Sequence, residues 1–320
     1  MASCPDKLLL AAPRGYCAGV DRAVQTVEHA LDVYGAPVYV RKEIVHNKHV
    51  VEELRERGAI FVESVQEVPK GSTVVFSAHG VAPSVHAGAH DRSLQTIDAT
   101  CPLVTKVHVE AKKFAAEGYT IVLIGHAGHE EVEGTMGEAP DQIVLVQSTE
   151  DVDALELEDP ERVAYISQTT LSVDETRAII NRLRERFPAI VGPRTDDICY
   201  ATTNRQAAVK QLARVCDLVL VIGSRNSSNS NRLVEVAREH GADSHLIDNE
   251  RQVRENWLDG KRIVGITSGA SAPEGLVQRL VEFFRARGTA QVEELEVVRE
   301  DVRFMLPKAI RQAMAATASA

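Results

Sequence analysis

The chain has 320 residues, more than one hydrophobic core ordinarily serves, so two or three packed units are expected. Hydrophobic residues make up 44% and charged ones 26%, which excludes a disordered chain, and 1 Trp, 6 Tyr and 7 Phe are too few for platforms that stack single-stranded nucleic acid. With 36 basic against 46 acidic side chains the formal charge is -10, which opposes general attraction to nucleic acid or anionic lipid, so a phosphate site must be local and built from oriented donors.

In chain order, Lys7 to Ala12 reads as a strand, a polar turn carries Cys17, and Val20, Ala23, Val24, Val27 and Leu31 share a helical face before Gly35. The strands of PVYVRKEIVHN and STVVFSAHG then end in polar clusters. The pattern returns: Leu94 to Ile97 leads to Cys101, with Val104, Val107, Ala111 and Phe114 as the helical face, followed by YTIVLIGHAGHEE and RVAYISQTT. The acidic stretch Glu150 to Glu161 reads as solvated surface. A third time, Asp197 and Ile198 lead to Cys199, with Ala208, Leu212 and Val215 on a helical face, followed by DLVLVIGSRNSSNSN and KRIVGITSGAS. Val292 to Met305 reads as a terminal arm closing over the units, and Met314 to Ala320 as a frayed end.

Counted from each cysteine, His46, His129 and Asn229 lie 29, 28 and 30 residues on, and His79, Thr169 and Ser271 lie 62, 68 and 72 on. Three similar α/β domains with mainly parallel sheets are therefore expected, at 1–100, 101–195 and 196–285, with a C-terminal arm at 286–320. Ligands of open α/β sheets bind beyond the carboxyl ends of the strands, where all these residues fall; the alternative is that polar strand ends are simply loops.

Cys17, Cys101 and Cys199 each stand where a strand passes to a helix, whose N-terminus favours thiolate. Without CxxC spacing they suit a site assembled from three distant segments rather than a zinc ribbon. Five cysteines, an odd number in a large chain, argue for reduced thiols; Cys4, in a polar leader, and Cys216, on the apolar face of a helix, have no counterpart in the repeat. Three thiolates on a [4Fe-4S] cluster leave one iron open as a Lewis acid. GHAGHEEVEGT offers His126, His129, Glu130, Glu131 and Glu133 for proton transfer, and spacing does not choose among the glutamates. SRNSSNSN, with Ser227, Ser228 and Asn229, places neutral donors before a helical stretch from Leu233 to Arg238, as an anion site requires, while lacking the GK[ST] of a Walker loop. His46, His79 and Ser271 fall on the same rim by the repeat; a lone His at a strand end is otherwise structural.

APRGYCAGVDRAV, EIVHNKHVVEELRERGAIFVE, FSAHGV, DATCPLVTKVH, IGHAGHEEVEGTMGE, SQTTLSVDET, DDICYATTNRQ, GSRNSSNSNRL and SGASAPE together resemble the 4-hydroxy-3-methylbut-2-enyl diphosphate reductase (LytB/IspH) family, from about Leu8 to Pro307. The resemblance implies a cytoplasmic enzyme that reductively removes an allylic hydroxyl at the last step of the methylerythritol phosphate isoprenoid route. Its three domains would form a pseudo-threefold trefoil around one central [4Fe-4S] cluster held by Cys17, Cys101 and Cys199. Glu131 would be the proton donor, with His129 and Thr169 near the substrate hydroxyl, and His46, His79, Ser227, Ser228, Asn229 and Ser271 would hold the diphosphate. Electrons would come from an external donor such as ferredoxin or flavodoxin, with no nucleic-acid or membrane partner. The rival readings are a [4Fe-4S] hydro-lyase, which needs no reductant, and a non-enzymatic iron–sulfur sensor.

Overall fold

Residues 4–318 are described by the structure, a computed structural model. The apolar runs become strands and the 3.6-period stretches become helices in the order β1 (Lys7–Ala12), α1 (Ala18–Tyr34), β2 (Val38–Arg41), α2 (Lys48–Glu56), β3 (Ala59–Val62), β4 (Thr73–Phe76), α3 (Pro83–Asp91) and β5 (Gln95–Asp98). There follow α4 (Pro102–Ala116), β6 (Thr120–Ile124), α5 (Glu130–Met136), β7 (Ile143–Val146), α6 (Thr149–Ala154), β8 (Val163–Ser167) and α7 (Val173–Arg186). The chain ends with α8 (Tyr200–Ala213), β9 (Leu218–Ile222), α9 (Ser228–Glu239), β10 (Asp243–Ile247), β11 (Ile263–Ser268), α10 (Glu274–Arg285), β12 (Gln291–Glu296) and α11 (Lys308–Ala318).

The expected α/β class with parallel sheets is what forms. Two compact units result, one from residues up to 18, 46–50 and 200–302, the other from 19–45, 51–199 and 303 onward. In the first unit the sheet order is β10-β9-β11-β1-β12, every pairing parallel. Its central strands are buried on both faces, so they read as continuous apolar runs. Leu218, Leu220, Ile222, Val264 and Ile266 enter one core with Leu276, Leu280 and Phe284 of α10, while Val219 and Val221 enter another with Leu212 of α8 and Leu233 of α9. The second unit holds two parallel sheets, β3-β2-β4-β5 and β7-β6-β8. In the latter, Ile121 and Leu123 face α4 residues Val107, Ala111 and Phe114, and Val122 and Ile124 face α7 residues Ile179 and Leu183.

Sheet membership runs one strand ahead of the sequence repeat. The strand that leads to Cys101, β5, completes the sheet begun by β2, β3 and β4, and β1, which leads to Cys17, lies beside β11. Before Cys199 there is no strand; a single parallel bridge, Ala164 to Val191, takes its place beside β8. Each cysteine segment thus extends the sheet of the repeat before it, with the first following the third.

Several local expectations shift. Within the terminal stretch, β12 pairs in parallel with β1, an edge strand whose four glutamate and glutamine side chains suit exposure. The last helix continues to Ala318, so 314–318 are helical; residues 319 and 320 lie outside the described residues. α9 starts at Ser228 rather than Leu233, because Ser227 caps it by accepting the N–H of Ser230. α8 stops at Ala213, and the turn that follows leaves Val215 exposed while Cys216, just beyond the helix rather than on it, enters the core.

Candidate functional site

One hydrogen bond recurs at all three repeat cysteines. The Cys101 N–H donates to the carbonyl of Ala78 at 3.0 Å, that of Cys199 to Thr169 at 3.1 Å, and that of Cys17 to Ala270 at 3.2 Å. Ala78, Thr169 and Ala270 each stand two residues beyond the end of a sheet strand, β4, β8 and β11. This bond follows from the strand order above: a segment laid parallel beside a strand keeps pairing for two residues past it. Each thiol then meets a helix start, since Cys101 is the N-cap of α4, Cys17 precedes α1 and Cys199 precedes α8.

In the second unit, Cys101 and Cys199 are joined by His79, His129, Glu131 and Thr169. His129 caps α5, its Nδ1 accepting the Glu131 N–H at 3.2 Å, which assigns the proton of the neutral imidazole to Nε2. Its ring meets His79 edge-on, with centroids 5.9 Å apart, and His79 Nδ1 lies 3.3 Å from Glu130 Oε2. Glu131 is 2% exposed. Thr169 donates to it twice, from its N–H to Oε1 at 2.6 Å and from its hydroxyl to Oε2 at 3.0 Å. Those bonds favour the carboxylate, yet desolvation outweighs them and, with the nearby Asp197 charge, pushes the carboxyl up to about 7.

Asp197 was visible in the sequence only as a lead-in to Cys199. Its side chain, 1% exposed, accepts the Ser167 N–H at 2.9 Å and the Lys106 ammonium at 2.9 Å. Lys106 also donates to the carbonyls of Thr195 and Asp196. Beside it, burial and a hydrogen bond with Asp197 push Glu110 up to about 7. The one available sign was the Lys106–Glu110 spacing of i, i+4 on α4. This network ties the helix capped by Cys101 to the segment ending at Cys199.

In the first unit, Cys17, His46, Ser227, Ser228, Asn229 and Ser271 come together. Ala270 links them: its carbonyl holds the Cys17 N–H, its N–H donates to Asn229 Oδ1 at 2.9 Å, and the next residue, Ser271, donates its hydroxyl to the His46 carbonyl at 3.0 Å. Asn229 Nδ2 donates to Thr202 at 3.3 Å, leaving its second amide hydrogen as a donor. Ser227 Oγ accepts from the N–H and the hydroxyl of Ser230, so its own O–H remains to donate. Ser230 is wedged where side chains at Gly223 or Gly269 would clash, since a Cβ there would lie 2.2 or 2.0 Å from its Oγ. That close approach seats the N-terminus of α9 against the ends of β9 and β11, with its N–H groups and neutral side-chain donors on one rim. Asn226 Nδ2 reaches His46 Nδ1 at 3.4 Å.

The remaining cysteines differ in kind. Cys216 is buried among Val219, Ala213 and their neighbours, and burial pushes its thiol up to about 12. Cys4 approaches Thr289 at 2.9 Å. Cys17, Cys101 and Cys199 are reduced and partly exposed, as Cys4 is, but only these three stand at helix starts with the repeated backbone hydrogen bond.

Against known proteins, the family model described as LytB protein matches residues 8–285. The 4-hydroxy-3-methylbut-2-enyl diphosphate reductase of Leifsonia xyli subsp. xyli is 59% identical over 310 residues, covering 97% of this chain and 92% of that protein. The protein of the same name from Cutibacterium acnes is 61% identical over 307 residues, covering 96% and 95%. Among solved structures, the E-1-hydroxy-2-methyl-but-2-enyl-4-diphosphate reductase from Plasmodium falciparum superposes with a TM-score of 0.95 at 37% identity, covering 98% of this chain and 99% of that one. No described helix is long and apolar enough to cross a membrane.

Proposed function

The chain belongs to the LytB protein family, and from that membership we propose that it is a 4-hydroxy-3-methylbut-2-enyl diphosphate reductase using one [4Fe-4S] cluster held by Cys17, Cys101 and Cys199. The observation that carries the cluster reading is the hydrogen bond repeated at these cysteines, which sets three reduced thiols at helix starts beyond strand ends. When bound, such a cluster supplies electrons and a Lewis-acid position for the substrate oxygen.

The chain's own residues divide the remaining work. Ser227, Ser228, Asn229 and Ser271, with His46 and His79, bind the diphosphate through oriented donors and the positive end of α9. Glu131 supplies the proton that lets the hydroxyl leave as water. In its acid form Oε1 still accepts the Thr169 N–H, so the acidic proton resides on Oε2, 3.0 Å from the Thr169 hydroxyl. Thr169 thereby accepts from Glu131 and can pass its own proton outward, giving a buried acid an exit. His129 offers Nε2–H to the substrate hydroxyl. Electrons come from an external protein donor of the ferredoxin or flavodoxin class, and the cytoplasm is the compartment in which the reduced thiols and such donors coexist.

The test is anaerobic purification with iron and sulfide counting, followed by assay with the hydroxylated C5 diphosphate with and without reductant. Four irons and four sulfides per chain, with reductant-dependent formation of both isomeric C5 diphosphates, is expected. Turnover without reductant would make the protein a hydro-lyase, and a cluster without turnover a sensor.

A further inference from the structure

Among the described residues, the largest side chain with no access to solvent is a charged one that the proposed reaction leaves unused. Arg205, in α8, is 0% exposed. Its Nη2 donates to the Gly15 carbonyl at 2.8 Å, and its Nη1 to the Ala201 carbonyl and Glu300 Oε1, both at 3.1 Å, while Nε has no partner. Stripping water from a guanidinium costs several kcal/mol, which an apolar residue at this helix position would avoid. What the charge does is therefore to be read from its partners.

Gly15 stands two residues before Cys17, with φ +74, a conformation in which a side chain is strained. The same short turn is held at three other points: the Gly15 N–H donates to Ser268 Oγ at 2.8 Å, the Cys17 N–H to Ala270, and the Ala18 N–H to the Tyr200 hydroxyl at 3.2 Å. Two of the four restraints on the Cys17 turn thus come from β11 and its loop, and two from the first turns of α8. Glu300, which also accepts from Asn204 at 3.1 Å, lies in the segment after β12. That segment, through Val298, Arg299, Glu300 and Val302, walls a cavity of about 480 Å³ whose opposite side includes Tyr16 and Ala18, the neighbours of Cys17. The guanidinium is the joint between the turn and this wall.

We propose that Arg205, paired with Glu300, is the positioning residue for Cys17: it fixes the turn that aims the thiol and holds the segment after β12 closed beside it. The proposal rests on Cys17 being a cluster ligand. Arg205→Lys keeps the charge but lacks the planar fork needed to reach Gly15 and Glu300 together. Glu300→Ala, made at the less buried partner, removes the acceptor shared by Arg205 and Asn204 and so releases the wall, while Arg205 keeps its contact to Gly15.

Wild type and both variants, purified anaerobically with the cluster bound, are treated with iodoacetamide and a chelator. Peptide mass spectrometry then follows Cys17, Cys101 and Cys199 separately. Cys17 is expected to be labelled about tenfold faster in each variant, the size of one lost hydrogen bond, with Cys101 and Cys199 unchanged. An unchanged Cys17 rate overturns the proposal, as does equal acceleration at all three thiols, the result of a merely structural role. Wild type lacking iron and sulfide removes the ligand reading and the proposal with it, whereas an intact wild-type cluster with no selective effect removes the proposal alone.

Discussion

The loop after β8 and the loop after β11 each hold a cysteine N–H two residues past the strand, but their side chains treat charge in opposite ways. After β8, Thr169 faces the buried Glu131, and Asp197 and Glu110 crowd nearby with a single ammonium, Lys106. Too few cations and too little water leave two carboxyls titrating near 7, where a proton can be given or kept. After β11, Ser271 and Ala270 meet Asn229, Ser227 and the start of α9, all neutral. One backbone plan therefore yields an edge rich in carboxyls and an edge of neutral donors, according to which residues the helix start packed against it carries.

Glu131→Gln attacks this contrast most directly. It should lower turnover by ~10²-fold or more while iron content and substrate affinity persist, because only the transferable proton is lost. Steady-state kinetics also reads the sign: wild-type turnover should fall as pH rises past about 7, when Glu131 loses its proton, and the variant should lack that limb. Near-normal turnover would remove Glu131 as the donor.

On the neutral edge, Asn229→Ala should raise KM by about tenfold, as loss of one hydrogen bond to a charged ligand does, with kcat changing less. Inhibition by inorganic pyrophosphate should weaken in parallel. Unchanged values for both would separate the α9 rim from diphosphate binding.

Lys106→Met leaves Asp197 buried without its ammonium although still accepting the Ser167 N–H, and should cost about 1–3 kcal/mol in denaturant unfolding. The partly exposed Lys106 puts the effect below that of breaking a fully buried pair. A loss no larger than that of an exposed substitution would show that the network does not brace the acid edge.

The remaining effect is linkage. The folded state raises Glu131 from an ordinary 4.5 to about 7, so its protonated form contributes stability below pH 4.5 that is lost as pH rises through 7. The stability of wild type relative to Glu131→Gln should decline across that window and then level off. A difference independent of pH would place the carboxyl near its ordinary range.

Much of the site was legible because its signals are short. Cys101 before Pro102, His129 before the acidic first turn of α5, and the Ser and Asn run before α9 are recognisable within one helical turn, where capping and the helix dipole act. Periodicity likewise placed the core faces of α4 and the buried strands β6 and β9. Arg205 and Asp197 carried no such signal. A buried charge looks in sequence like a solvated one, and their partners Gly15 and Ser167 are 190 and 30 residues away.

By itself, then, the amino-acid order determined the parallel α/β class, the three equivalent cysteines and the residue types at each strand end. Only the tertiary structure decided that each cysteine segment joins the sheet of the preceding repeat, so that Thr169 holds Cys199 and Ala270 holds Cys17. Local propensity specifies a strand and its buried face, whereas the sheet edge it joins is settled by competition among all elements for burial and for unpaired backbone groups.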